Sequence, residues 1–173
     1  MATVINLLEV EENKTIVQSA MECGLTHAAN MLHIKRQDLA GELREITSRA
    51  FDYFIYGFAK NLAATLALNN RNVKEAYVIG LDTAADLDAA EGRAPEYPVI
   101  LLLVVERRTA ALEEMVAHLN RTVTKSIADA LGLPEAPAVL LDVHIAEMAE
   151  KRERRGLSSF INSWWAPALK VLG

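Results

Sequence analysis

Few residues in this chain have the types and spacing that chemistry requires. The histidines are His27, His33, His118 and His144, and no two stand four residues apart, as a zinc-binding helical pair does. The single cysteine, Cys23, cannot form an internal disulfide. With no basic neighbour in sequence to hold a thiolate, it is expected to be a buried structural thiol. There is no Gly-x-x-x-x-Gly-Lys loop, no Gly-x-Gly-x-x-Gly turn and no Gly-x-Ser-x-Gly elbow, so phosphate cradles and a strained nucleophile turn are missing. Asp82, Asp86, Asp88 and Glu91 lie close together, but they read as a solvated acidic loop rather than a cation site. No catalytic residue, metal or cofactor is expected from these patterns. What remains is a short basic stretch with Lys35, Arg36, Gln37 and Arg44, and a charged run from Lys151 to Arg155.

The elements that position these residues follow from apolar periodicity. Ile16, Val17, Ala20 and Met21 recur at helical spacing, and Gly24 is expected to end that helix in a left-handed conformation. Thr26 is expected to cap a second short helix through Ala28, Ala29, Met31 and Leu32, and a third carries Leu39, Leu43 and Ile46. Phe51, Phe54, Ile55, Phe58, Leu62 and Leu66 form one stripe, which predicts a long core helix over 48–68. The Asn-Asn-Arg-Asn run at 69–72 separates this helical region, residues 1–70, from an α/β region, residues 71–173, the two forming one compact unit.

Downstream, Ala76–Leu81, Val99–Val105 and Val139–Ile145 read as strands, and Ala110–Leu131 as an amphipathic helix stopped by Gly132 and Pro134. Val99–Val105 is apolar on both faces, so it belongs in the middle of a covered sheet. The expected fold class is therefore α/β: a small mixed or parallel sheet of at least three strands covered by helices, behind an amino-terminal helical region. Leu157, Phe160, Ile161, Trp164, Trp165, Ala168 and Leu169 share one helical face, which predicts a carboxyl-terminal amphipathic helix. Trp164 and Trp165 are its expected partner-binding residues, docked on the body or on a second subunit.

Charge and composition narrow the classes further. Hydrophobic residues make up 51% of the 173 and the net charge is −5, which suits a folded chain and works against non-specific attraction to polyanions. The longest strongly apolar run has seven residues, far short of the roughly 20 that span a bilayer. The opening MATVINLLEVEENK has no basic leader before its apolar run, and a cytoplasmic location is expected.

Two stretches resemble known families. Residues 24–43, Gly-Leu-Thr-His-Ala-Ala-Asn-Met-Leu-His-Ile-Lys-Arg-Gln-Asp-Leu-Ala-Gly-Glu-Leu, resemble the Fis-type helix-turn-helix of bacterial transcription regulators. Thr26, Ala28 with Ala29, Ile34, Arg36, Leu39 and Leu43 stand at that family's helix start, helix crossing, turn and recognition-helix positions. His33 replaces the turn glycine, Gly41 interrupts the recognition helix, and Asp38, Glu42 and Glu45 add negative charge. The resemblance implies a DNA-binding regulator contacting duplex DNA through Lys35, Arg36, Gln37 and Arg44, as a homo-oligomer.

Residues 50–146 are similar in element order to the nucleotidyltransferase fold, with Val78-Ile-Gly80 ending the first strand and Leu141-Asp142-Val143 on the third. That family carries Gly-Ser after its first strand and Asp-x-Asp on the second. Here Leu81 follows Gly80, and the second strand holds no carboxylate. The implied alternative is a catalytically inactive nucleotidyltransferase-like protein that binds a nucleotide or a partner; a third reading is an assembly protein with no small ligand.

Overall fold

The computed structural model describes residues 2–46, 48–81, 98–133, 138–163 and 168–173, with side chains from residue 14 onward. Asp82, Asp86, Asp88, Glu91, Trp164 and Trp165 lie outside these residues. Apolar strands and amphipathic helices together give a mixed α/β fold.

The first helix, α1 (Ala2–Leu32), runs unbroken through both Gly24 and Thr26, so neither residue marks a helix end. Gly24 has an ordinary helical backbone, and the left-handed residue that closes α1 is His33, at φ 55°. The Ile34 N–H donates to the Ala29 carbonyl at 3.1 Å and the His33 N–H to the Asn30 carbonyl at 3.3 Å, the paired bonds of a Schellman stop. The expected third helix is reduced to a 3-10 turn, Arg36–Asp38, and one α-helical turn, α2 (Leu39–Glu42). Its apolar pins are as expected: Leu39 and Leu43 are each 1% exposed.

The glycine is needed at position 24 for close approach. Helix α3 (Arg49–Asn69) is capped by Ser48, which accepts from the Phe51 N–H. It buries Phe51, Phe54, Ile55, Phe58, Leu62 and Leu66 as its stripe predicts. A Cβ at Gly24 would lie 2.8 Å from the Phe54 carbonyl oxygen, and a Cβ at Gly57 would lie 2.6 Å from the His27 Cβ and 3.2 Å from the Gly24 Cα. Backbone-to-backbone packing at this crossing leaves no room for a methyl group.

Strand β1 (Val73–Ile79) pairs antiparallel with β2 (Val99–Val105), and β2 is parallel to β3 (Leu141–Glu147). Between β2 and β3 runs α4 (Ala110–Leu131), capped by Thr109 and ended by Gly132 at φ 62°. A short helix, α5 (Met148–Glu153), follows β3 with Glu147 and Glu150 forming a capping box.

The carboxyl-terminal expectation needs correction, because residues 157–169 do not form one helix. A 3-10 segment, Gly156–Asn162, is followed by strand β4 (Leu169–Leu172), antiparallel to β1, giving the sheet order β3-β2-β1-β4. Gly156 has φ 56°, and Ser158, Ser159, Asn162 and Ser163 compete for backbone hydrogen bonds that a helix would need.

The sheet is covered on both faces. On one, Ala76, Val78, Val99, Leu101, Leu103 and Val105 pack with α1, α3 and α4 in one contiguous apolar cluster. On the other, Tyr77, Ile79, Leu102, Val104 and Ala146 meet Met148, Leu157, Phe160 and Ile161. Thus the carboxyl-terminal apolar residues that are described dock on the body of the chain. No helix among the described residues is long and apolar enough to cross a membrane.

The α1–α3 crossing yields a signed test. An alanine in a helix gains about 1 kcal/mol over glycine in propensity, while forcing a methyl into a filled contact costs about 1–3 kcal/mol. At Gly57 and Gly24 the clashing atoms include backbone, so the cost wins, and each alanine variant unfolds at lower urea than the parent. Nothing lies within 4 Å of a Cβ at Gly41, so Gly41→Ala keeps the propensity gain and raises the midpoint. Urea midpoints of the three variants check the pattern.

Candidate functional site

The two covers of the sheet diverge at the β3 edge and leave an open cleft of about 450 Å³ between α4 and the α5/3-10 segment. Its floor is β3 from Val143 to Ala146. One wall is α4, with Glu113, Val116, Ala117 and Asn120, and the other carries Glu150, Arg155 and Leu157.

Polar side chains seal much of the exposed β3 backbone. Asn120 accepts from the Val143 N–H and donates to the Val143 carbonyl, both at 2.8 Å. Thr124 accepts from the Leu140 N–H at 2.9 Å, and Glu150 accepts from the Glu147 N–H at 2.6 Å. Arg108 donates to the Ile145 carbonyl at 2.8 Å and pairs with Glu150 at 3.0 Å, with the Glu113 carboxylate 4.0 Å away. A free edge invites another strand, and these side chains occupy the positions that strand would take. Glu150 is held below the ordinary carboxylate value, first by the Glu147 N–H and then by Arg108 against the opposing effect of burial.

His144 also lines the cleft, and its Nε2 lies 2.7 Å from the Asp142 carboxylate. Such a pair orients an imidazole, but among the described residues no hydroxyl or thiol nucleophile lines the cleft beside it. The buried hydroxyl of Ser158 donates to the carbonyls of Glu150 and Arg155, which makes it a structural tie. No cluster of three or more metal-ligating side chains occurs among the described residues.

A second polar cluster fastens the carboxyl-terminal segments to β1. Glu75, whose side chain is 18% exposed, pairs with Lys151 and with Lys170, the latter at 3.7 Å, and accepts from the Tyr77 hydroxyl at 2.7 Å. Both ammonium groups stand over the Tyr77 ring, at 5.5 and 5.9 Å from its centre. Burial pushes the Glu75 carboxyl up, but hydrogen bonds from Lys151 and Tyr77, with the charges of Lys151 and Lys170, hold it below its ordinary value. Lys151 is raised, chiefly by its bond to Glu75.

The sequence-derived residues fall in separate places. Lys35, Arg36, Gln37 and Arg44 are all exposed beyond the His33 stop. They sit on the 3-10 turn and after the single-turn α2 rather than along one extended helix. Arg36 pairs with Glu22 of α1 at 2.5 Å. Asp142 lies on β3 opposite Ile100, and Gly80 follows β1 at φ 92°, so the order α3-β1-β2-α4-β3 is as expected. Cys23 is exposed, contrary to the expected buried thiol. The Asn120 clasp, the Arg108 tie and the Glu75 cluster escaped the sequence reading. One signal was present: Asn120 interrupts a helix whose neighbouring inward positions, Val116, Leu119 and Val123, are apolar.

No protein-family model, curated protein or solved structure matches the chain.

The lowered groups set an acid limb of stability. Glu75 and Glu150 lie below their ordinary 4.5, so their contributions are complete above pH 4.5 and are lost as pH falls through the folded values. His27, which lies against the Tyr53 and Tyr56 rings, is lowered from 6.5, first by burial and then by Lys60. Its contribution therefore begins to fall below pH 6.5. Thermal midpoints recorded from pH 7 to 3.5 should decline gently at first and then more steeply below 4.5, and Glu75→Gln should flatten the steep part. A midpoint constant across that range contradicts these assignments.

Proposed function

We propose that the chain is a non-enzymatic binding protein on a nucleotidyltransferase-like frame, and that the cleft over β3 takes a small polar ligand. The observation that carries this reading is the construction of the cleft floor. Asn120 and Arg108 are fixed to β3 backbone atoms, so the polar groups facing the cleft are held in place before anything binds, which lowers the ordering cost of binding. Nucleotidyl transfer requires carboxylates that hold metal ions against a triphosphate. The corresponding strand offers Val99, Leu101, Leu103 and Val105 on one face and Ile100, Leu102 and Val104 on the other. Asp142 alone does not replace that set. The single cysteine, which requires no oxidising compartment, supports a cytoplasmic location.

Purified protein given nucleoside triphosphates and Mg²⁺ is expected to form no transfer product. Product that disappears in the Asp142→Ala variant would overturn the non-enzymatic part of this reading.

A second reading, a regulator that binds duplex DNA, is favoured by the exposure of Lys35, Arg36, Gln37 and Arg44 beyond a left-handed turn, with Leu39 and Leu43 buried behind them. In this reading a homodimer places two such segments on half-sites about 34–36 Å apart. Arg36 must then exchange Glu22 for a base edge, and Arg36→Ala weakens binding by about 1–3 kcal/mol. Fluorescence anisotropy with random duplexes at low salt should show salt-sensitive binding that Lys35→Ala and Arg36→Ala reduce. Binding indifferent to both substitutions removes the segment from the interface.

A further inference from the structure

We infer that the 3-10 segment Gly156–Asn162 is a flap that opens while α5 and β4 stay attached, widening the β3 cleft and uncovering the sheet face beneath it. The flap stands on its own contacts; its role in admitting a ligand rests on reading the cleft as the binding site.

The segment lies between two firm attachments. Lys151 ties α5 to Glu75 and Glu150 ties it to Arg108, while β4 is held by backbone pairing with β1 and by Lys170 on Glu75. The hydroxyls of the segment itself turn elsewhere. Ser158 donates to the carbonyls of Glu150 and Arg155, and Ser159 to the Gly156 carbonyl at 2.8 Å, so these bonds shape the segment and hold its near end to α5. Its grip on the sheet is apolar contact through Leu157, Phe160 and Ile161, all three only partly buried. On the opposite face Phe51, Phe54 and Phe58 of α3 are fully buried. Apolar contact stabilises in proportion to the area it removes from water, so the thinner contact opens first.

Both ends of the segment favour that movement. Arg154 and Gly156 are left-handed, at φ 53° and 56°, on either side of Arg155, and for Arg154 that conformation carries a steric cost. At the far end the Ser163 hydroxyl oxygen is buried with no hydrogen-bond partner among the described residues, a cost that contact with water removes. Arg155, Gly156 and Leu157 also line the cleft, so displacing the flap moves that wall outward.

Leu102, flanked in the sheet by Tyr77 and His144, lies on the face under the flap, and its neighbour Leu103 lies on the α3 face; both are fully buried. The test is the rate at which an aromatic disulfide labels a thiol in the native full chain. The chain carries Cys23→Ser, because Cys23 is exposed, and either Leu102→Cys or Leu103→Cys. The thiol under the flap should react about tenfold faster or more than the one facing α3, at a rate insensitive to low urea. Arg154→Gly, which relieves the hinge, should slow it severalfold. Gly156→Ala should speed it severalfold, since nothing lies within 4 Å of the added Cβ and only the backbone is strained. Neither hinge variant should move the rate of the α3-facing thiol. If the leucine variants do not fold, Ala146→Cys and Ala76→Cys place thiols on the same two faces without removing volume. Equal rates on the two faces, or a rate under the flap that neither hinge variant changes, overturns the flap. Labelling needs no ligand, so a cleft that binds nothing leaves this result as it stands.

Discussion

A strand that is apolar on both faces has to be covered twice, and β2 imposes that demand on the whole chain. Val99, Leu101, Leu103 and Val105 look one way, Leu102 and Val104 the other, and all six are fully buried. Leaving a Leu or Val of this kind wet forfeits roughly 1.5–3 kcal/mol, against a total stability of about 5–15 kcal/mol for a typical domain. Either face alone is therefore decisive. Helices α1, α3 and α4 answer for one face, and α5 with the 3-10 segment for the other. The cleft is where these two covers part, at the β3 edge.

The covers are held by different physics. On the α1–α3 side the contact is steric: two glycines allow backbones to touch, and three phenylalanines of α3 fill the space beneath. The thinner cover on the opposite face has a small apolar cluster, reinforced by Glu75, which ties Lys151 of α5 and Lys170 of β4 to β1. Salt bridges so placed gain from partial burial only because Tyr77 and two ammonium groups share the one carboxylate. The result is a rigid side and a side whose attachment depends on charge, with the cleft between them.

Much of this was legible in the sequence because periodicity is a local signal. The β2 and α4 boundaries coincide with those read from apolar runs and caps, and the Phe51–Leu66 stripe is the buried face of α3. Gly24 was misread because a glycine looks the same in sequence whether it supplies a left-handed turn or a close approach. The answer depended on Phe54 and Gly57, some thirty residues away. The carboxyl-terminal stripe fitted a helix, yet its serines and Gly156 favoured a tighter turn, and β1 offered an edge for Leu169–Leu172 to join. Arg108 and Asn120 are far from β3 in sequence, so their bonds to its edge had no local signature.

The account turns on a β3 edge that is closed at Val143 and open at Ile145, and native-state hydrogen exchange reads those two amides directly. In the unliganded chain the Val143 amide should exchange slowly and the Ile145 amide, two residues along the same strand, roughly tenfold faster or more. Asn120→Ala should raise the Val143 rate toward that of Ile145 without changing the latter. Equal protection of the two amides in the parent chain, or a Val143 rate unmoved by the loss of Asn120, would contradict the account.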